Sequence, residues 1–222
     1  MNRQIALVVT DQETNAQIKH LGVGLLELRV DLFKQLNPAY TLKQIKQRKL
    51  LKIPLLLTVR NQKKEGALKV FADSLKWQII QEALPWVDMV DIELSSPLLK
   101  QVLLLARKLG KQVIVSSHYF QATPHDLESI LKKSLSTRAD IVKIAAFARS
   151  FDDVVAMLTF TYRHRKHALI TMSLGKIGAV SRLVFPAAGS RYTYTFLNKP
   201  TAPGQLDVLT LKAHLKAYSF SR

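Results

Sequence analysis

The chain has 222 residues and no cysteine, and 33 Lys and Arg against 16 Asp and Glu give it a formal net charge of +17. Disulfides, thiol catalysis and cysteine-ligated metals are thereby excluded, and 48% hydrophobic residues with 8 Gly and 8 Pro describe a folded globular chain. The positive excess suits an anionic partner, either nucleic acid or a small carboxylate drawn in by the field.

Short apolar strands alternate with helix-like segments from end to end. The strands expected are Ile5–Val9, Gly24–Arg29, Leu55–Val59, Met89–Glu93, Gln112–Ser117, Asp140–Ala145, Ala168–Met172 and a weaker one near Tyr192–Phe196. Helical spacing covers Glu13–His20, Leu42–Lys49, Leu68–Ala83, Pro97–Leu109, Pro124–Ser134, Phe151–His164 and Leu206–Tyr218. Ser96-Pro97 and Thr123-Pro124 read as a capping hydroxyl before a first-turn proline, and Gly110 follows a last turn. The connection Gly175–Pro186 is short for a helix. Eight strands in this alternation predict an α/β fold, a single-domain (β/α)8 TIM barrel over residues 1–222, with a doubly wound open sheet as the competitor.

No apolar run approaches the ~18 residues that span a bilayer. The opening MNRQIALVVTD lacks the apolar length and cleavage site of a signal peptide, so a cytoplasmic protein without a membrane partner is expected. The basic clusters Lys43–Lys52 and Arg163–His167 lie in or after helical stretches and read as solvated outer faces. No aromatics are interleaved with them as a nucleic-acid stacking platform requires.

Charge gathers at the carboxyl ends of the strands. Glu27, Arg29 and Asp31 share one strand face, as do Thr58 and Arg60, Asp91 and Glu93, and Ser116 and His118. Each has a plain reading: Asp31 as a helix cap, His118 as a structural histidine, Arg60 as half of a surface pair. Together they form the polar cup that a barrel builds over its apolar core, at the end where barrel active sites lie.

The run Ala139–Phe147 is apolar apart from the opening Asp140 and Lys143. A lysine in apolar surroundings loses its proton more readily and becomes a nucleophilic amine fit for imine chemistry on a ketone. It could equally end an edge strand and extend its head to water. A histidine able to take and return a proton, with several arginines, suits a substrate that is both carbonyl compound and acid. No HExxH, GxGxxG or P-loop occurs and the six histidines are scattered, so neither a metal nor a nucleotide cofactor is expected.

Seven segments in order, ELRVD (27–31), LTVR (57–60), VDIEL (90–94), VIVSSHYF (113–120), ADIVKIA (139–145), ITMSLGKIGAVSRL (170–183) and TAPGQ (201–205), resemble type I 3-dehydroquinate dehydratases. The resemblance implies a barrel that dehydrates 3-dehydroquinate to 3-dehydroshikimate, in the shikimate pathway of aromatic amino acid biosynthesis, without cofactor or metal. By position, Lys143 would form the imine and His118 would move the protons. Glu27, Arg29 and Arg60 would grip ring hydroxyls and order the cup, and Arg182 would take the carboxylate. Thr201 and Gln205 would lie on a loop over the substrate, Glu65 would orient the histidine, and Met172 would wall the imine. A homodimer is implied as well.

The chain departs from that pattern in places. Leu174 replaces a common methionine, Thr201 a serine and Tyr194 a phenylalanine whose ring supports the site. Glu65 stands one residue late, and the hairpin that floors such barrels is expected to be shortened or absent. Two alternatives stand beside this reading. A class I aldolase would need a phosphate site near the last strands, where this chain offers Arg182 and an Ala-Pro-Gly-Gln turn. A nucleic-acid-binding protein on an inactive barrel would show steeply salt-dependent binding.

Overall fold

In a computed structural model describing residues 4–218, eight strands lie in the order β7-β6-β5-β4-β3-β2-β1-β8. They are β1 (Ile5–Val9), β2 (Leu25–Arg29), β3 (Leu55–Thr58), β4 (Met89–Glu93), β5 (Gln112–Tyr119), β6 (Ile141–Phe147), β7 (Leu169–Leu174) and β8 (Thr193–Phe196). All neighbours in this order pair in parallel, so the sheet curls into the expected (β/α)8 barrel. The described chain enters β1 almost at once; residues 1–3, ahead of it, lie outside the described residues.

The helices are α1 (Asn15–Ile18), α2 (Pro38–Lys49), α3 (Asp73–Ala83), α4 (Leu99–Lys108), α5 (Leu127–Ser136), α6 (Phe151–Arg163), α7 (Gly175–Gly178), α8 (Ser181–Ala188) and α9 (Val208–Ala217). Several begin where a side chain can satisfy free backbone donors. Asn37 caps α2 ahead of Pro38, Ser150 and Asp153 form a reciprocal box on α6, and Asp207 caps α9. Two expected caps are corrected. Helix α4 starts two residues beyond Pro97, and α5 is capped by Asp126, while the Thr123 hydroxyl donates to the Phe147 carbonyl instead. Helix α3 begins at Asp73, not Leu68; residues 68–72 run as a loop in which Phe71 N donates to Asn61 Oδ1 at 2.8 Å. The first helix keeps only four of its expected residues, and Gly175–Pro186 carries two short helices.

The basic clusters face outward with one exception. Arg48 of α2 turns inward and is buried, donating to Asn15 Oδ1 at 2.7 Å and to the carbonyls of Thr10 and Glu13. Lys46 and Lys49 from the same helix lie over the Trp86 ring.

Inside the barrel, five strands change character within one step of two residues. Leu25, Leu56, Met89, Ile114 and Ile141 form an apolar floor; the next inward positions are Glu27, Thr58, Asp91, Ser116 and Lys143. On β7 and β8 the wall stays largely apolar, with Ile170, Met172, Leu174, Tyr192 and Tyr194. The cup is therefore charged on one side and greasy on the other.

Among the described residues, no strand ladder closes β7 against β8. That seam is held by the chain entering β8. Arg191 N donates to the Leu169 carbonyl at 2.7 Å, the buried Ser190 hydroxyl accepts from Thr171 N at 3.0 Å, and Thr193 Oγ1 donates to the Arg182 carbonyl at 2.9 Å. Ser190→Ala leaves the Thr171 N–H buried without that acceptor, at a cost of about 1–3 kcal/mol. Thermal melts should show a fall of about 2–4 °C for each kcal/mol lost; an unchanged melting temperature would mean the seam closes without Ser190.

Candidate active site

Lys143 sits in the middle of the polar layer. Strand β6 pairs on both sides, so Lys143 is not on an edge strand, and it is only 4% exposed. Its surroundings differ from the apolar setting expected. Nζ lies 3.3 Å from Glu27 Oε1 and 3.3 Å from Asp91 Oδ2, and stands 4.3 Å above the centre of the Tyr194 ring. The lysine is desolvated but paired.

Arg60 organises the acids around it. Its guanidinium meets Asp91 Oδ1 at 3.0 Å and Glu93 Oε1 at 3.0 Å and donates to Ser116 Oγ at 3.3 Å. Ser116 in turn donates to Asp91 at 2.7 Å. Burial opposes ionisation of Asp91, yet Arg60 and Lys143 hold it well below the ordinary carboxylate range. Behind Glu93, Lys76 from α3 donates at 2.6 Å, and both side chains are 1% exposed. Glu27 accepts from Thr58 Oγ1 at 2.9 Å as well as from Lys143. Arg29 is bound in two prongs by Asp31, which also accepts from Arg60 N, so Asp31 is an ion-pair partner at a strand end and not a helix cap.

His118, two residues after Ser116 on β5, rests on Glu65. One carboxylate oxygen accepts from His118 N at 2.9 Å and from Nδ1 at 3.0 Å; the other accepts from Ser95 at 3.0 Å. A carboxylate at Nδ1 assigns the proton there and leaves Nε2 as the basic nitrogen. Glu65 reaches this place from the short turn 63–65, which Gly66 ends in the left-handed region at φ +86°. A side chain at Gly66 would collide with the Phe120 ring, 2.5 Å from the position of its Cβ. Phe120 stacks on His118 with 12° between planes.

On the opposite wall Arg182, from α8, is 1% exposed. Nη1 approaches Met172 Sδ at 2.9 Å, while Nε and Nη2 have no partner. Burial pushes this guanidinium down to about 10, still charged at neutral pH. Tyr194 lies beside it with a buried, unpartnered hydroxyl. Thr201 and Gln205 belong to the loop after β8. Gln205 Oε1 accepts from Thr201 N at 2.7 Å, Thr201 Oγ1 at 3.2 Å and Ala202 N at 3.2 Å, which folds the loop on itself. Gly175 N donates to Pro203 O at 3.2 Å, docking the loop on the end of β7.

These groups enclose a cavity of about 50 Å3 lined by Glu27, Arg60, His118, Lys143, Met172, Tyr194, Thr201 and Gln205 among others. That is room for one or two waters, so a ring-sized ligand must open the cup to enter. A wider cavity of about 900 Å3 lies outside it and shares Glu65, Gly66, His118 and Phe120 as the dividing wall. Among the described residues, no group of three or more His, Asp or Glu side chains is arranged to hold a metal ion.

The structure thus gathers Lys143, His118, Glu27, Arg60, Glu65, Met172, Tyr194, Thr201 and Gln205 around one cavity. Arg29 also lines it, and Arg182 sits behind Met172. Sequence reasoning placed Asp91, Glu93 and Ser116 at strand ends without assigning them to the site; their shared strand face was the available signal. Lys76 was missed, since one lysine on a charged helix carries no sign that it points inward.

Fold and site together define a (β/α)8 barrel with a lysine-centred polar pocket at the carboxyl ends of its strands. The chain belongs to the type I 3-dehydroquinase family, whose model matches residues 5–221. It is 32% identical over 211 residues to a 3-dehydroquinate dehydratase from Thermodesulfovibrio yellowstonii, covering 92% of this chain and 90% of that protein. The crystal structure of the 3-dehydroquinate dehydratase from Geobacillus kaustophilus superposes with a TM-score of 0.88 at 27% identity, covering 98% of this chain and 92% of that one. The enzyme of that name from Aquifex aeolicus gives 0.86 at 29% identity, covering 96% and 98%. No helix among the described residues is long and apolar enough to cross a membrane.

Burial, with Arg60 and Lys143 as neighbouring positive charges, pushes His118 from 6.5 down to about 4. The unfolded chain therefore binds a proton on His118 near 6.5 and the folded chain only near 4, so unfolding gains from every step of acidification between these values. Melting temperature should fall from pH 6.5 towards 4, and His118→Asn should lessen that fall. Equal slopes for the two proteins would show that His118 is not held neutral.

Proposed function

We propose that the protein converts 3-dehydroquinate to 3-dehydroshikimate through an imine on Lys143. The observation that carries this reading is a buried lysine and a histidine–glutamate pair lining one cavity, with a charged guanidinium behind Met172 whose Nε and Nη2 have no acceptor. A ring ketone that also carries a carboxylate meets both needs.

Lys143 gives one proton to His118 Nε2, its free amine adds to the ketone, and the resulting carbinol hydroxyl leaves as water with the proton that His118 returns, which leaves a protonated imine. That cation draws electrons from the adjacent C–H, so His118 Nε2 removes the proton and an enamine forms. The enamine pushes out the β-hydroxyl, which leaves as water with the proton that His118 returns. Water then hydrolyses the imine, releasing the enone and restoring the amine. Glu65 keeps Nε2 as the working nitrogen throughout and stabilises the imidazolium when it forms. Glu27 and Asp91, which lose N–H donors when the ammonium becomes an iminium, are acceptors for ring hydroxyls. Arg29 and Arg60 hold the acids in place, Arg182 takes the carboxylate in a two-pronged grip, and Met172 covers the imine. Thr201 and Gln205 close over the substrate after releasing part of their own hydrogen bonding. Similarity to the family extends this reading to a homodimer in the cytoplasm with no cofactor.

The test is enone formation from 3-dehydroquinate, followed by ultraviolet absorbance. Lys143→Ala should abolish it, and His118→Ala should lower kcat by about 10²–10⁴ while still forming some imine slowly. A wild-type protein that makes no enone, or a His118→Ala protein at full rate, would refute the mechanism.

A further inference from the structure

Three buried donors on the β7–β8 side of the barrel have no partner in the protein. They are Arg182 Nε, Arg182 Nη2 and the Tyr194 hydroxyl. A buried polar group without a partner is costly, and native structures seldom keep one unless something arrives to use it. Burial raises Tyr194 well above 10, so its hydroxyl keeps its proton and is a donor. Tyr194 is near enough to Arg182 for an anion placed at its hydroxyl to act on the guanidinium. Three donors and no acceptor form a receptor for an anion with several lone pairs, which describes a carboxylate.

The tyrosine has a second contact that links this receptor to the chemistry. Its ring lies under Lys143 Nζ at 4.3 Å, and both residues line the same cavity as Met172, which touches Arg182. One rigid side chain on β8 therefore spans from the nucleophile to the anion receptor. A phenyl ring could support the amine equally well; only the hydroxyl reaches for the anion.

We propose that the Tyr194 hydroxyl donates a hydrogen bond to the substrate carboxylate beside Arg182, making Tyr194 a substrate-binding residue that fixes the ketone against Lys143. This rests on the reading of Lys143 and Arg182 given under Proposed function. In this substrate the carboxylate sits on the carbon β to the ketone, the same carbon that loses its hydroxyl, so a side chain reaching from Lys143 to the carboxylate selects for the acid over the same ring ketone without it.

The experiment is a double-mutant cycle of Tyr194→Phe and Arg182→Lys, read as KM and kcat for 3-dehydroquinate, with melting temperatures to confirm folding. Tyr194→Phe should raise KM about 10-fold to 100-fold, as loss of a charge-assisted hydrogen bond does, with kcat changed less than threefold. Its free form should melt at the same temperature or higher, because an unsatisfied hydroxyl has been removed. If both residues hold one carboxylate, the double variant's KM rises by less than the product of the single effects. An unchanged KM in Tyr194→Phe, or fully multiplicative effects, would overturn the assignment. Wild-type protein without turnover would instead refute the proposed reaction itself, so the two failures are distinguishable.

Discussion

Everything in the pocket depends on the buried clamp that Arg60 makes on Asp91 and Glu93, 3.0 Å from each. Two carboxylates on successive inward positions of one strand repel each other, and the low dielectric of the barrel strengthens that repulsion. The planar guanidinium, arriving from the next strand, bridges them with separate nitrogens. Lys76 enters from outside the barrel to neutralise the far oxygen of Glu93, and Lys143 enters from inside to meet Asp91. The result is a chain of alternating charge from helix α3 to the centre of the cup. Breaking such a pair by removing one partner typically costs about 3–5 kcal/mol, because the other charge is left buried.

That chain explains why a lysine can sit 4% exposed in a barrel without being tied to one partner. Its two carboxylate contacts are both 3.3 Å, longer than the 2.6 Å contact of Lys76, so the amine is held in place by a field rather than by one short bond. The division of the cup follows the same economy of charge. Acids occupy β2 and β4 with Thr58 of β3 and Arg60 just past its end between them, the histidine and lysine occupy β5 and β6, and the last two strands present sulfur and aromatic surface with one guanidinium behind them.

How much of this was legible in the chain follows from which forces write themselves into local sequence. Strand positions were, because an inward row such as Leu25, Glu27, Arg29 shows both its period and its change from apolar to charged. The carboxyl-end residues were, because that change occurs at the same end of five strands. Family resemblance then sorted His118 and Lys143 from their plain readings. The helix starts were less legible: Ser96 and Thr123 have the composition of caps, but Asp126 captured the α5 terminus, and α4 began without a side-chain cap. Lys76 and Arg48 were hidden for a different reason. Arg48 belongs to a helix rich in exposed lysine and Lys76 is the one lysine of its helix, and the inward turn of both is decided by acids and carbonyls elsewhere in the sequence, Glu93 for Lys76 and the Thr10–Glu13 segment for Arg48. The lysine's charged surroundings were misjudged in the same way, since neighbours across strands are invisible along one strand.

The central claim is that Lys143, despite its two carboxylate partners, is the group that bonds to the substrate. Borohydride reduction of the protein mixed with 3-dehydroquinate, followed by peptide mass spectrometry, reads this directly. A single stable adduct on the peptide containing Lys143 is the result this account predicts. A folded, active protein with no adduct, or with the adduct on another lysine, would contradict it.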